Sequence, residues 1–229
     1  MSTSKLYSIA SSNPIFASLE QPTLEAILAA GSLREYQSGS FVTLAGDVWP
    51  YLFLVVSGKV SAFKESSEGR SLVVETFAAG EIFWGLALFH ENAAMPAALQ
   101  AREDSQAYLW ARERILPVFL QNGAVTWELS RLMIRRLLRA SEVVEALAFQ
   151  PLTGRVAHLL LESVPAGQET AARHLTLDEM AARVGTTREV VCRILYRFAE
   201  QGAIQINRTE FVFKNRQALE AQAQGGAKG

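Results

Sequence analysis

The stretch that decides the fold is residues 176–199, which read TLDEMAARVGTTREVVCRILYRFA. Thr176 followed three residues later by Glu179 has the pattern of a capping box, in which each side chain bonds a free backbone N–H at the start of a helix. Apolar residues then recur at helical spacing on both sides of Gly185, a residue type that tolerates the positive φ of a tight turn. The stretch therefore predicts two short helices joined by a glycine turn, a helix-turn-helix.

The second of these helices begins with a charged face. Thr187 is placed to cap it, and Arg188, Glu189 and Arg193 lie off its apolar stripe. The first residues of such a helix reach base edges in the DNA major groove, where Arg can donate two bonds to guanine and Glu can accept one from cytosine. These residues predict binding to double-stranded DNA. The alternative is a helical hairpin with surface charges.

Cys192 is the single cysteine of the chain. A disulfide within the chain and a four-cysteine metal or iron–sulfur site are therefore excluded. Because Cys192 lies beside Arg193 on the predicted DNA-reading helix, we interpret it as a small residue that faces the phosphate backbone. A redox switch is the alternative, since oxidation would add bulk there.

Two short apolar runs follow the helix-turn-helix, residues 203–206 and 211–213, with Asn207 to Glu210 between them. This pattern is typical of a β-hairpin and predicts the wing of a winged helix-turn-helix. Upstream, residues 165–173 are interpreted as a loop.

Residues 124–148 contain neither Gly nor Pro and predict one long helix. Its apolar residues are spaced 4, 3, 4 and 3 apart, the a/d seam of a helix that pairs with a copy of itself, and residues 149–151 break the pattern at a hinge. A helix packed on its own barrel is the alternative. The seam consists of Met133, Leu137, Ala140, Val144 and Leu147. A separate, solvent-exposed face of the same helix is predicted to consist of Arg131, Arg135, Arg136 and Arg139.

The N-terminal half has a different pattern of apolar residues and glycines. Residues 14–30 predict short helices, whereas residues 36–112 alternate short apolar runs with glycine turns, as in a β-sandwich or barrel. The predicted fold class is α+β. Its parts are an antiparallel, jelly-roll-like β-roll sensor (1–120), a dimerisation helix (121–148), a winged helix-turn-helix (149–221) and a disordered tail (222–229).

Composition and charge argue against several classes of function. The net charge of −1 argues against a general binder of polyanions. No apolar run approaches the roughly 20 residues of a membrane span, and no secretory segment is evident, so we expect a cytoplasmic protein without membrane association. Three scattered histidines do not supply the ligand cluster of a cupin-like enzyme, so no catalytic residues are predicted.

The chain resembles the Crp/Fnr family of transcription regulators over about residues 14–215. The resemblance implies a homodimer with a β-roll above a coiled coil, an effector at the contact between barrel and helix, RNA polymerase as a partner, and inverted-repeat DNA with half-sites similar to TGTGA. It rests on Gly39, Gly46-Asp47, residues 52–60, 80–83, 86–89, 147–149 and 153–157, and most specifically on residues 187–193.

The sequence departs from the cyclic-AMP-binding branch of this family at its ligand positions. The Gly-Glu pair of the phosphate cassette is here Trp84-Gly85, the Arg-Ser pair that binds the phosphate is Met95-Pro96, and the Thr-Ser pair of the long helix is Ala140-Ser141. A buried phosphate without a cation is costly, so we predict no cyclic nucleotide. The alternative is a cyclic-nucleotide-binding regulatory module.

The same positions predict an apolar effector pocket. A hydrophobic ligand, a haem, or no ligand at all would suit it. His90 is the candidate axial ligand for haem, although a lone histidine is more often an ordinary surface residue, and no other metal site is predicted. The pocket residues are Trp84, Gly85, Leu86, Met95, Pro96, Leu99, Leu137, Ala140 and Ser141.

Overall fold

The computed structural model of the protein describes residues 3–164 and 168–224. The chain divides into two compact units, Met1–Lys64 with Val74–Leu137, and Glu65–Val73 with Leu138–Gly229. Its first part contains the helices α1 (Thr3–Ser12), α2 (Pro14–Ala17) and α3 (Gln21–Ala30), a 3-10 turn (Leu86–Leu88), α4 (Arg112–Gln121), and the strands β1 (Ser32–Tyr36), β2 (Phe41–Thr43), β3 (Tyr51–Ser57), β4 (Lys59–Glu65), β5 (Ser71–Ala78), β6 (Ile82–Trp84), β7 (Ala98–Ala101) and β8 (Ser105–Ala111).

The strands form two four-stranded sheets, ordered β1-β8-β3-β6 and β2-β7-β4-β5. The pairings of β8 with β1 and β3, of β3 with β6, and of β7 with β2 and β4 are antiparallel. This confirms the predicted β-roll. Central strand β3 is buried on both faces. Leu52 and Leu54 face a core shared with the helices, whereas Phe53 and Val55 face the core between the sheets. Burial on both sides explains the unbroken apolar run in the sequence.

Helices cover the outer face of the first sheet. The indole Nε1 of Trp110 donates a hydrogen bond to the carbonyl of Ile27 at 2.7 Å, and the ring of Phe16 lies 5.2 Å from the ring of Trp110. Between α3 and β1, a Cβ added to Gly31 would lie 2.3 Å from the Tyr108 ring, so a glycine is required there. The short helices predicted in residues 14–30 are confirmed as α2 and α3, whereas α1 was not predicted.

Helix α5 (Gly123–Phe149) is continuous and ends at the predicted break. The seam residues are exposed in the single chain, with Met133 at 50%, Leu137 at 70% and Val144 at 65%. Arg131, Arg135 and Arg139 are exposed as predicted, but Arg136 is not. None of the helices in the described ranges is long and apolar enough to cross a membrane.

The second unit is built on a separate apolar core. Its elements are α6 (Leu152–Glu162), β9 (Thr170–Ala172), α7 (Leu177–Val184), α8 (Arg188–Glu200), β10 (Ile204–Ile206), β11 (Glu210–Phe213) and α9 (Arg216–Gln224). Helices α6 and α9 approach closely at Gly154, where an added Cβ would lie 3.0 Å from the carbonyl oxygen of Gln222.

Two predictions for this unit need correction. Thr170–Ala172 is a strand rather than a loop, because it pairs with β11 in a sheet ordered β10-β11-β9. The predicted tail, residues 222–229, is helical as far as Gln224, since α9 packs on α6. Residues 165–167 of the predicted loop and 225–229 of the tail lie outside the described residues.

Candidate functional site

The helix-turn-helix is formed by α7 and α8, and the local signals in the sequence account for its geometry. The Thr176 hydroxyl accepts a hydrogen bond from the Glu179 N–H at 3.2 Å, and the Glu179 carboxylate accepts one from the Thr176 N–H at 2.8 Å. Gly185 ends α7 in the left-handed conformation with φ of +71°. The predicted capping box and glycine turn are both confirmed.

Helix α8 buries one face and exposes the other. Val191, Ile194, Leu195 and Phe198 lie in the core of this unit, as their spacing predicts. The opposite face leaves the charged residues Arg188, Glu189 and Arg193 exposed. The buried stripe therefore fixes which face α8 can offer to a partner.

The first turn of α8 holds its charges in place. The Nη1 atom of Arg188 lies 3.6 Å from the Oδ2 atom of Asp178, and both side chains are exposed. The pKa of Glu189 is lowered because its carboxylate accepts hydrogen bonds from its own backbone N–H and from the Thr187 hydroxyl, with a smaller contribution from Arg188. Glu189 therefore remains a charged acceptor.

Thr187 differs in detail from the prediction. It occupies the N-cap position with extended backbone, but its side chain makes no capping bond to the helix backbone. Thr187 is therefore the N-cap residue, as predicted, while its side chain interacts with the Glu189 carboxylate and not with the helix backbone. Cys192 is partly buried on the same helix.

The exposed face continues beyond the predicted residues. Tyr196 and Arg197 are exposed one turn after Arg193. The sequence carried a signal for Arg197, because it follows Arg193 at the i,i+4 spacing of one helix face. Arg193, Tyr196 and Arg197 therefore extend the polar surface along α8.

The predicted wing is present as the hairpin of β10 and β11, with Ile204 opposite Phe213 and Ile206 opposite Phe211. Arg173 braces its tip. Its Nη1 atom donates to the Asn207 carbonyl at 3.1 Å, its backbone N–H donates to the Thr209 carbonyl at 2.8 Å, and its guanidinium lies 5.2 Å from the centre of the Phe211 ring. This role depends on tertiary contacts that the sequence does not reveal. Arg208 is exposed at the tip.

The residues of the predicted effector pocket fall into distinct groups. Trp84 belongs to the core beneath the helices, whereas Met95 and Leu99 belong to the core between the sheets. Gly85 is also buried. The remaining predicted residues are exposed in the single chain, namely Leu86, Pro96, Leu137, Ala140 and Ser141.

Gly85 has no room for a side chain. A Cβ added there would lie 1.7 Å from the carbonyl oxygen of Trp49. The backbone of the 3-10 turn therefore lies directly against that carbonyl. A carboxylate at this position would require the backbone to move.

Arg136 lies against the aromatic side chains of the β-roll instead of in solvent. Its Nε atom is 3.4 Å from the Glu75 carboxylate, and its Nη2 atom donates to the carbonyl of Ile82. Its guanidinium carbon is 4.6 Å from the centre of the Trp84 ring. The predicted solvated face is wrong for this residue, because its long side chain reaches aromatic partners that helical spacing does not reveal.

The histidines are not clustered. His90 and His174 are exposed, and the Nε2 atom of His158 lies 3.8 Å from Glu162 on the same helix. In the described ranges, no group of three or more His, Cys, Asp or Glu residues could hold a metal ion.

Two family models match the chain, one in each half. The model described as "Cyclic nucleotide-binding domain" matches residues 33–122, and "Crp-like helix-turn-helix domain" matches residues 154–222. The first covers the strands β1 to β8, and the second covers the helix-turn-helix and its wing.

Relatives of similar length match across both units. The "Cyclic AMP receptor protein" of Thermus thermophilus is 31% identical over 196 residues, which cover 85% of this chain and 89% of the relative. The "cAMP-activated global transcriptional regulator Vfr" of Pseudomonas aeruginosa is 28% identical over 84% of this chain and 94% of its own.

Solved structures share the fold. A "putative transcriptional regulator of the crp/fnr family" from Eubacterium rectale has a TM-score of 0.75 at 20% identity, covering 92% of this chain and 98% of its own. The "c-di-GMP Responsive Global Regulator CLP" of Xanthomonas campestris has a TM-score of 0.72 at 24% identity, covering 86% of this chain and all of its own. Crp-family proteins are transcription regulators rather than enzymes, bind DNA and act as dimers. This chain belongs to the Crp/Fnr family of DNA-binding transcription regulators and carries a cyclic nucleotide-binding domain fold followed by a Crp-like helix-turn-helix.

Proposed function

We propose that the protein is a homodimeric regulator that reads an inverted repeat in double-stranded DNA with α8. The observation that carries this proposal is the exposed trio Arg188, Glu189 and Arg193 on the first turns of that helix. These residue types are the donors and acceptors that distinguish base pairs in the major groove. RNA polymerase is the expected partner at promoters, by resemblance to the family.

Each residue of the trio has a proposed role. Arg188 and Arg193 donate to guanine, and Glu189 accepts from cytosine N4, in a half-site similar to TGTGA. The lowered pKa of Glu189 supports this, since only the charged carboxylate is purely an acceptor. Thr187 and Cys192 flank the trio and are assigned to the phosphate backbone.

Dimerisation is proposed through α5. The exposed side chains of Met133, Leu137 and Val144 form the seam, and large apolar side chains exposed at a regular helical spacing are typical of a helix that pairs. Two copies related by a two-fold axis would present their α8 helices to half-sites about 34 Å apart.

The effector is proposed not to be a cyclic nucleotide. Gly85 stands against the Trp49 carbonyl where the cyclic-AMP branch has a carboxylate, and the buried Met95 stands where that branch has its phosphate-binding Arg. The proposal allows three possibilities for the effector: an apolar ligand, a haem, or no ligand. His90, the candidate for haem, is exposed.

Control by cyclic AMP is the second candidate. The relatives from Thermus thermophilus and Pseudomonas aeruginosa are named for cyclic AMP, and both cover most of this chain. The regulator CLP, which is named for c-di-GMP, shares the fold as well, so the fold alone does not specify an effector.

A binding selection on randomised DNA tests the DNA-reading proposal. The wild type is compared with Arg188→Ala, Glu189→Ala and Arg193→Ala, and Arg183→Ala on α7 serves as an exposed control. Loss of one bidentate Arg should cost about 1–3 kcal/mol and relax the preference at one base pair. If all three variants select the wild-type motif, the trio does not read bases.

Titration calorimetry tests the effector proposal. No heat of micromolar binding is expected with cyclic AMP or cyclic GMP, and such binding would favour the second candidate. The visible absorption spectrum and mass of the protein purified from its native host distinguish haem from a retained apolar ligand.

A further inference from the structure

Arg188, the first residue of α8, is paired with a carboxylate on the neighbouring helix. Its Nη1 atom lies 3.6 Å from the Oδ2 atom of Asp178 in the first turn of α7, and the two side chains are 60% and 70% exposed. At that distance the contact is an ion pair and not a hydrogen bond. The pair therefore joins the two helices of the helix-turn-helix on their exposed surface.

The capping of α7 does not require Asp178. The start of that helix is capped by Thr176 and Glu179, which bond each other's backbone N–H groups. A carboxylate in the first turn also stabilises a helix through the backbone dipole, but Glu179 already supplies one there. What Asp178 adds is a negative charge beside Arg188.

A cation at the first residue of a helix is poorly placed by the helix itself. The backbone dipole puts partial positive charge at that end, which repels a guanidinium, and an unrestrained Arg side chain samples many rotamers. Two carboxylates offset this around Arg188, namely Asp178 and Glu189, whose pKa Arg188 helps to lower. Because Glu189 is assigned to cytosine, Asp178 is the carboxylate that stays with the guanidinium when DNA is bound.

The ion pair lies on one side of the guanidinium of Arg188. Asp178 approaches Nη1, whereas the two parallel donors that pair with O6 and N7 of guanine can come from Nε and Nη2. Guanine is uncharged and does not compete with the carboxylate for Nη1. A DNA phosphate is an anion, so it is repelled by Asp178 and competes with it for the guanidinium. Asp178 therefore favours the guanine contact over a phosphate contact.

We propose that Asp178 is a positioning residue for Arg188, which holds the guanidinium toward guanine and away from the DNA phosphates and so sharpens discrimination at one base pair. The inference rests on the proposed function, in which Arg188 reads guanine. A carboxylate lowers the affinity of a surface for every DNA, but specificity is a ratio of two affinities, and a repulsive group can raise that ratio.

Three DNAs are titrated to test this role. They are the operator obtained from the selection on randomised DNA, the same operator changed at the base pair whose preference relaxes in Arg188→Ala, and DNA without the operator. Wild type is compared with Asp178→Asn. Glu200→Gln is the matched control, because it also removes one exposed carboxylate, at the last residue of α8. The two ends of α8 are about 18 Å apart along its axis, well beyond the Debye length of about 10 Å in 0.1 M salt.

The ratio of affinities for the operator and the changed operator is the deciding quantity. In Asp178→Asn this ratio should fall by roughly 2- to 5-fold, the effect of an exposed ion pair. Affinity for DNA without the operator should rise, because a repulsive charge is lost. Glu200→Gln should leave the ratio unchanged. In an Arg188→Ala background, Asp178→Asn should also leave it unchanged, since the residue that it positions is missing.

A folded Asp178→Asn protein with the wild-type ratio would overturn the inference, even if it bound all three DNAs more tightly, because Asp178 would then act only by repelling phosphates. Asp178→Ser is a second neutral variant, so the comparison does not depend on one replacement, and circular dichroism shows whether each variant is folded.

The Arg188→Ala variant separates this inference from the proposed function. If Arg188→Ala relaxes no base pair, Arg188 does not read guanine, and the proposed function fails together with the inference. If Arg188→Ala relaxes one base pair and the Asp178 variants keep the wild-type ratio there, the proposed function stands and the inference alone fails.

Discussion

Truncation of Leu137 measures how much the α5 seam contributes to dimerisation. Leu137 is 70% exposed in the single chain, and full burial of a Leu side chain stabilises by about 1.5–3 kcal/mol. Burial of the exposed part against a partner is then worth about 1–2 kcal/mol per copy, or about 2–4 kcal/mol per dimer. Leu137→Ala should therefore raise the dimer dissociation constant by roughly 30- to 1,000-fold.

Sedimentation equilibrium over a range of protein concentrations provides the measurement. Leu120→Ala is the control, since Leu120 is 78% exposed but lies on α4, outside the seam. The control should dimerise like the wild type. If Leu137→Ala also dimerises like the wild type, the seam is not the interface, and the exposed stripe needs another explanation.

Three further predictions concern stability and pH. Gly85→Ala should lower the free energy of unfolding by about 1–3 kcal/mol, measured in urea, because the new Cβ would overlap the Trp49 carbonyl. Thr176→Ala should cost about 0.5–2 kcal/mol of stability by removing the cap of α7, a loss that thermal unfolding would detect. The lowered pKa of Glu189 means that its charged form, and any stability it adds, is lost only as pH falls below the usual carboxyl range. Base preference that depends on Glu189 should therefore be the same at about pH 5 as at neutral pH, since an ordinary Glu has a pKa of about 4.3, and a weaker preference at that pH would refute the assignment.

Local signals made the helix-turn-helix predictable from sequence. The bonds between Thr176 and Glu179 join residues three apart, and the positive φ of Gly185 is a property of one residue. Such features depend little on the rest of the chain. The same reasoning predicted the apolar run of β3 and the hairpin of β10 and β11, where alternation and turn residues are also local.

Long-range contacts were not predictable in this way. Strand β9 is short and pairs with β11, so its sequence resembles a loop until its partner is known. Arg136 reaches Phe77 and Trp84, which are more than fifty residues away, and helical spacing alone assigned it to solvent. Arg173 braces the wing through Asn207 for a similar reason. In each case the side chain type was known but its neighbours were not.

The braced wing has a consequence for the thermodynamics of DNA binding. Because Arg173 already ties the tip to the core of its unit through the carbonyls of Asn207 and Thr209, the hairpin need not become ordered when DNA arrives. The entropy of ordering that loop is lost during folding and not during association, so pre-organisation favours affinity. Calorimetric measurements of DNA binding should then lack the large unfavourable entropy of coupled folding. Arg173→Ala should introduce part of that entropy, because the side-chain bond to Asn207 is lost whereas the backbone bond to Thr209 remains, and it should leave the heat of the base contacts unchanged.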